Sequence, residues 1–133
     1  MNPIKPFLLA IAVLVPVAAH SQGLVPTIEG QFEFCNDRPK EPKWLQDIHV
    51  RESHKRLLIQ AIYDLQSYER VEQAGDCACD TLYPAWDTAI QTFNDNFLHL
   101  ERRDAMNARL EFQDRSTVLR QSQKSVCEPL GHW

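Results

Sequence analysis

Residues 75–80 read GDCACD, two cysteines separated by one alanine inside a polar turn. How that pair is used decides the architecture, because the chain has only two other cysteines, Cys35 upstream and Cys127 downstream. A metal site built on Cys77 and Cys79, completed by His132 or Cys127, conflicts with the spacing, since structural zinc sites place two to four residues between paired cysteines. A redox dithiol is the next reading. Thiol oxidoreductases use C-x-x-C at a helix start, and Asp76 and Asp80 on either side of this pair raise a thiol pKa instead of lowering it. Two structural disulfides suit an even cysteine count in a small exported domain.

Four cysteines allow three pairings. A direct Cys77–Cys79 bridge closes a tight, strained ring and leaves Cys35 to pair with Cys127. The arrangement we favour sends Cys77 and Cys79 separately to Cys35 and Cys127, so that the turn becomes a hub holding both ends of the chain. Loops of about 45 residues would then each contribute roughly 3 to 4 kcal/mol in the chain-entropy picture. Cys127 reaches the hub only if the segment after residue 80 folds back, so this pairing predicts three helices, whereas Cys35–Cys127 goes with one long hairpin.

Upstream of the hub, WLQDIHVRESHKRLLIQAIYDLQSYERVEQAG (residues 44–75) carries apolar residues at three- and four-residue steps, among them Leu58, Ile62 and Leu65. That period predicts an amphipathic helix from Trp44 to Gly75, with Gly75 as its stop. Leu57, Leu58, Ile59, Ala61 and Ile62 make its centre almost wholly apolar, which predicts burial on more than one side. Downstream, Asp80 or Thr81 is placed to cap a second helix whose first turn contains Pro84. Leu82, Trp86, Ala89 or Ile90, Phe93, Phe97 and Leu100 form one stripe, continued more weakly by Met106, Leu110 and Val118 or Leu119. The second helical segment either runs unbroken from Leu82 to Gln123 or breaks near residues 101–104. The expected fold is all-α, a small disulfide-stapled bundle or hairpin of two long helices, the second able to break and give three.

The segment before residue 44 differs in composition. Residues 22–43 hold three prolines and no helical period, so an irregular or extended arm is expected, with Phe32 and Phe34 alternating about Glu33 as a strand-like stretch and Cys35 as its tie. Residues 1–21 carry Lys5, an apolar run from Phe7 to Val17 and the small-x-small triplet Ala19-His20-Ser21, the pattern of a signal peptide cleaved after Ser21 or, alternatively, at Ala19. The run is too short to span a bilayer comfortably and Pro16 interrupts it, so no stable membrane anchor is expected after cleavage. The divisions are thus 1–21 signal peptide, 22–43 arm and 44–133 helical domain, and the expected location is periplasmic or secreted.

The chain of 133 residues carries a net charge of −4. Its basic residues, including Arg51, Arg56, Arg102, Arg109 and Arg120, are interleaved with acids, which argues against nucleic acid as a partner. Short motifs that fix a reaction class, such as G-x-x-x-x-G-K-[ST] or H-E-x-x-H, do not occur. His49 and His54 stand five residues apart, off a common helix face, and His99 neighbours Glu101, Arg102 and Arg103 with no nucleophile placed beside any of them. No catalytic residue, metal or cofactor is expected. The reading these features support is a non-enzymatic module that binds another envelope or secreted protein, as an accessory component of a secretion or conjugation apparatus. Alternatives are a periplasmic immunity or inhibitor protein, or a small metal-binding or thiol-redox protein using Cys77 and Cys79. Phe97, Met106, Leu110 and Trp133 are the expected partner-binding residues, Trp133 because a terminal aromatic suits capture by a partner.

Overall fold

A computed structural model describes residues 35–131. Five helices follow in order: α1 (Lys43–Gln46), α2 (Ser53–Ala74), α3 (Cys79–Leu82), α4 (Asp87–Asn96) and α5 (Arg102–Cys127). Short 3-10 turns at Val50–Glu52 and Glu128–Leu130 complete the elements, and no strand occurs among the described residues. The expected all-α fold is therefore present. The signal-peptide reading, the Phe32–Phe34 stretch, His132 and Trp133 lie outside the described residues.

The central element is α2, whose apolar middle turns place Leu58, Ile59, Ala61, Ile62, Tyr63 and Leu65 in the interior. With α4 and α5 both packed on it, α2 is covered on two sides, as its sequence predicts. Gly75 ends the helix in the left-handed region at φ 70°, its N–H donating to the Val71 carbonyl at 2.8 Å. The start requires a correction. The helix does not run from Trp44: α1 is a separate turn burying Leu45, and His49 is extended at φ −60°, ψ 142°. Nδ1 of His49 accepts the Arg51 N–H at 3.2 Å, and the β-branched neighbours Ile48 and Val50 give the helix little reason to cross this point.

Beyond the hub a second correction applies. Pro84 does not open a helix. It terminates one, because the ring disfavours helical backbone at the preceding residue, and Tyr83 accordingly leaves α3 at φ −123°, ψ 75°. The next helix starts only at Asp87. Its run ends after Asn94, Asp95 and Asn96, all weak helix formers, and Glu101 is extended at φ −70°, ψ 159° before α5 begins. The break expected near residues 101–104 thus falls at residues 97–101, and the chain takes the three-helix form.

The weak distal stripe is also corrected. On α5 the side chains turned toward the interior are Ala105, Ser116, Gln123 and Cys127, with Ala108 and Phe112 partly buried beside them. Leu110 and Val118 are 53% and 68% exposed. Small residues let α5 lie close along α2, and Gln123 fixes the contact by donating Nε2–H to the Tyr68 carbonyl at 2.8 Å. Leu110 and Val118 are therefore not what seats α5.

Disulfides pin both ends. Cys35 is bonded to Cys79 and Cys77 to Cys127, with Cα separations of 5.5 and 5.3 Å, within the range such bridges require. Cys77 and Cys127 are wholly buried in a second small core with Val71 and Leu82, flanked by Tyr68 and Tyr83. From Cys35 the chain runs as a strap, residues 35–42, across the open side of α2. Trp86 donates its indole N–H to the Pro39 carbonyl at 3.2 Å, and Glu41 accepts two bonds from Arg56 at 2.9 and 2.7 Å and one from Gln60 at 3.0 Å.

Candidate functional site

Two flanks of α2 are taken by α4 and α5, and the third opens between Tyr83 and Arg120. All three tyrosines of the chain converge there. Tyr63 and Tyr68 come from successive turns of α2, while Tyr83 is delivered by the Pro84-imposed break after α3. With Asp64, Ser67 and Arg120 they enclose a pocket of about 140 Å³. Tyr63, Asp64 and Tyr83 also line a wider cleft of about 550 Å³ that passes beneath the strap at Arg38–Glu41 and is closed by Trp86. Asp64, Tyr68 and Arg120 continue the opening toward Gln113 and Thr117 of α5, across a further 350 Å³. Together these form one groove with Asp64 at its middle.

Its walls are held firmly. Tyr63 stacks on Trp86 with ring centroids 4.0 Å apart and planes 8° from parallel, and its hydroxyl donates to the Pro84 carbonyl at 2.9 Å. Ser67 donates to the Tyr63 carbonyl at 2.9 Å, and Arg70 spans to the carbonyls of Thr81 and Asp80, each at 3.2 Å, fixing α3 to α2. The guanidinium of Arg38 lies 5.7 Å from the centre of the Tyr83 ring, a cation–π distance.

Burial sets the electrostatics. The Tyr63 hydroxyl is pushed up to about 12, first by burial and then by the Asp64 charge. Burial also raises the Tyr68 hydroxyl, with Arg120 pulling the other way. The Asp64 carboxyl stands above the usual carboxylate range for the same reason, again opposed by Arg120. Asp64 as a whole residue stays open to solvent, so screening limits the size of its displacement. It makes no hydrogen bond and no close ion pair among the described residues. Asp64 and Arg120 line the same pocket and interact through their charges, so this part of the groove carries both signs.

The partner-binding residues anticipated from sequence, so far as they are described, do not line the tyrosine groove. Phe97 packs edge-on against Phe112 at 5.5 Å, half-buried beside the main core, while Met106 is half-buried and Leu110 exposed on α5. Trp133 lies outside the described residues. His54 is buried, and His49 and His99 are exposed. All four cysteines are in disulfides, and no group of three or more metal-ligating side chains occurs among the described residues. None of the described helices is long and apolar enough to cross a membrane. Sequence reasoning missed the tyrosine groove. Its one trace is the acid Asp64 directly after the apolar run that ends at Tyr63, which reads locally as an ordinary solvent-facing position. Comparison with protein-family models, curated proteins and solved structures returns no match.

Proposed function

We propose that the protein is an exported, non-enzymatic module that binds another protein of the cell envelope, as an accessory part of an assembly such as a secretion or conjugation apparatus. The observation that carries this reading is the tyrosine-walled flank of α2 that α4 and α5 leave open among the described residues. Both stapled segments meet at one hub, and the aromatic groove along the central helix, open among the described residues, suits a rigid recognition surface. The leader-like N-terminal sequence and the two disulfides support an oxidising compartment.

The test is expression of the full chain in a host with a cell envelope, followed by unreduced mass spectrometry and in-cell cross-linking of the exported product. Expected are a chain beginning at Gln22, four thiols bound as two disulfides, and one recurrent cross-linked envelope protein. Retention in the cytoplasm with titratable thiols, or an exported chain with no recurrent partner, would overturn the reading. A captured toxin or hydrolase would point to an inhibitor instead.

A further inference from the structure

We propose that the outer face of α5 around Val118, where it meets α2, is a docking surface for a basic amphipathic helix of the partner protein. The inference rests on the binding-module reading and gives the partner a chemistry, at a surface that shares no residue with the tyrosine groove. Leu110, Asp114, Val118, Ser122 and Val126 follow one another four residues apart, and all are exposed among the described residues. A row of this spacing is the ridge that one helix lays into the groove of another. Beside Val118, half-buried Leu119 and the α2 residues Glu69 and Glu72 complete a shallow depression of about 400 Å³. Its floor is apolar and its rim is charged, the arrangement of a surface that receives the apolar stripe of a helix.

Charge selects the kind of helix. Three of the four charged residues around the depression are acids, Glu69, Glu72 and Asp114. The fourth, Arg115, is already engaged: it bridges to Glu69 at 3.0 Å and lies 5.9 Å from the centre of the Phe112 ring. Glu72 and Asp114 belong to no ion pair among the described residues. The bases next nearest to Val118 along α5, Arg109, Arg120 and Lys124, stand roughly 120 to 180° round the helix from it, on the far side from the ridge. Two unpaired carboxylates therefore flank an apolar ridge, which complements a helix carrying lysine or arginine beside its own apolar stripe. The same signs disfavour a cover supplied by this chain. Residues 22–34 hold Glu29 and Glu33 and neither lysine nor arginine, and a second copy carries the same net charge of −4.

The test is protein-observed NMR titration of the full oxidised chain with a synthetic amphipathic helix of leucine and lysine, set against its counterpart with glutamate at every lysine position. Expected are saturable shifts centred on residues 69–72 and 114–119 for the lysine helix and none for the glutamate one. Val118→Ser, which keeps the charges, should weaken binding about tenfold. Glu72→Gln combined with Asp114→Asn, which keeps the shape, should weaken it about fivefold. Shifts centred on the tyrosine groove, equal binding of both helices, or variants that bind like the natural chain overturn the proposal. Methyl contacts in the free chain between Val118 and residues 22–34 would seat its own arm on the ridge. Concentration-dependent shifts at Val118 without peptide would seat a second copy; both outcomes overturn the partner assignment. Val118→Ser is also carried through the cross-linking experiment. A partner captured equally well by the variant overturns the docking surface and leaves the binding-module reading standing, whereas peptide binding that Val118→Ser weakens, with no partner captured, strikes that wider reading alone.

Discussion

Tyr63 and Trp86, 23 positions apart in sequence, lie face to face at 4.0 Å, and this contact joins α2 to the segment that Pro84 forces out of helix. The same tyrosine donates to the Pro84 carbonyl, so one side chain locks the break by stacking and by hydrogen bonding together. Trp86→Ala is expected to lower stability by about 2–3 kcal/mol, less than for a fully buried tryptophan because Trp86 is only half-buried. Tyr63→Phe keeps the stack and loses the bond, for about 1 kcal/mol. Urea unfolding followed by tryptophan fluorescence measures both.

Tyrosine titration provides an independent check. A hydroxyl raised to about 12 means that the stability tied to neutral Tyr63 is intact below the ordinary tyrosine range near 10 and is lost as pH climbs from there toward 12. Absorbance at alkaline pH should show late-ionising tyrosine in the natural chain, and Tyr63→Phe should remove that late component. Early ionisation of all three tyrosines would contradict the buried placement of Tyr63.

The two disulfides differ in exposure, and their removal should differ accordingly. Cys77 and Cys127 are fully buried, whereas Cys35 and Cys79 are partly exposed. Graded reduction should open Cys35–Cys79 first, seen by alkylation and peptide mapping. Loops spanning 44 and 50 positions give chain-entropy contributions of about 4 kcal/mol each at most. The Cys77→Ser, Cys127→Ser double variant should lose more than its Cys35, Cys79 counterpart, since it also places two hydroxyls in an apolar core.

Gly75 tests the helix stop. Its φ of 70° disfavours any side chain, yet a Cβ there would meet nothing within 4 Å. Gly75→Ala should therefore lose about 1 kcal/mol from backbone conformation alone, and Gly75→Asn less, because asparagine tolerates the left-handed region. Equal stability of all three chains in thermal unfolding would show that this residue adopts another conformation in solution.

Asp64 predicts a pH response of the opposite kind from a salt-bridged acid. Its carboxyl is raised by burial, so the folded chain holds the proton more tightly than the unfolded chain does. Stability associated with the neutral acid is full below the ordinary value of 3.8 and declines as pH rises through the raised one. Asp64→Asn should remove that decline and leave the variant no less stable at neutral pH, as pH-dependent unfolding would register.

Where the sequence was legible, local physics was decisive. Gly75 stops α2 because only glycine enters the left-handed region freely, and the fused apolar turns around Leu58–Ile62 foretell two-sided burial. The hub pairing followed from ring strain between near neighbours. Legibility failed where a residue has two opposed uses. Pro84 suits a first helical turn as well as a helix end, and with α3 already running to Leu82 its ring forces Tyr83 out of helix. Along α5 the sequence offered only a weak stripe through Met106, Leu110 and Val118 or Leu119, whereas the buried positions are Ala105, Ser116, Gln123 and Cys127, small or polar residues that a polarity pattern does not register. The groove was hidden for a related reason: its tyrosines lie on three separate turns, and only the folded chain brings them together.

Because the bridges interlace, Cys35 to Cys79 and Cys77 to Cys127, the chain has an uncommon tolerance of scission. A single peptide bond cut anywhere between Cys35 and Cys127 leaves two pieces that still share at least one sulfur link, and a cut at Ala78 leaves them sharing both. A protease that nicks an exposed loop such as residues 97–101 therefore adds one water to the mass and releases no fragment. In the exported role proposed above, where hydrolases are met routinely, a nicked molecule of this kind remains in one piece with its tyrosine groove assembled.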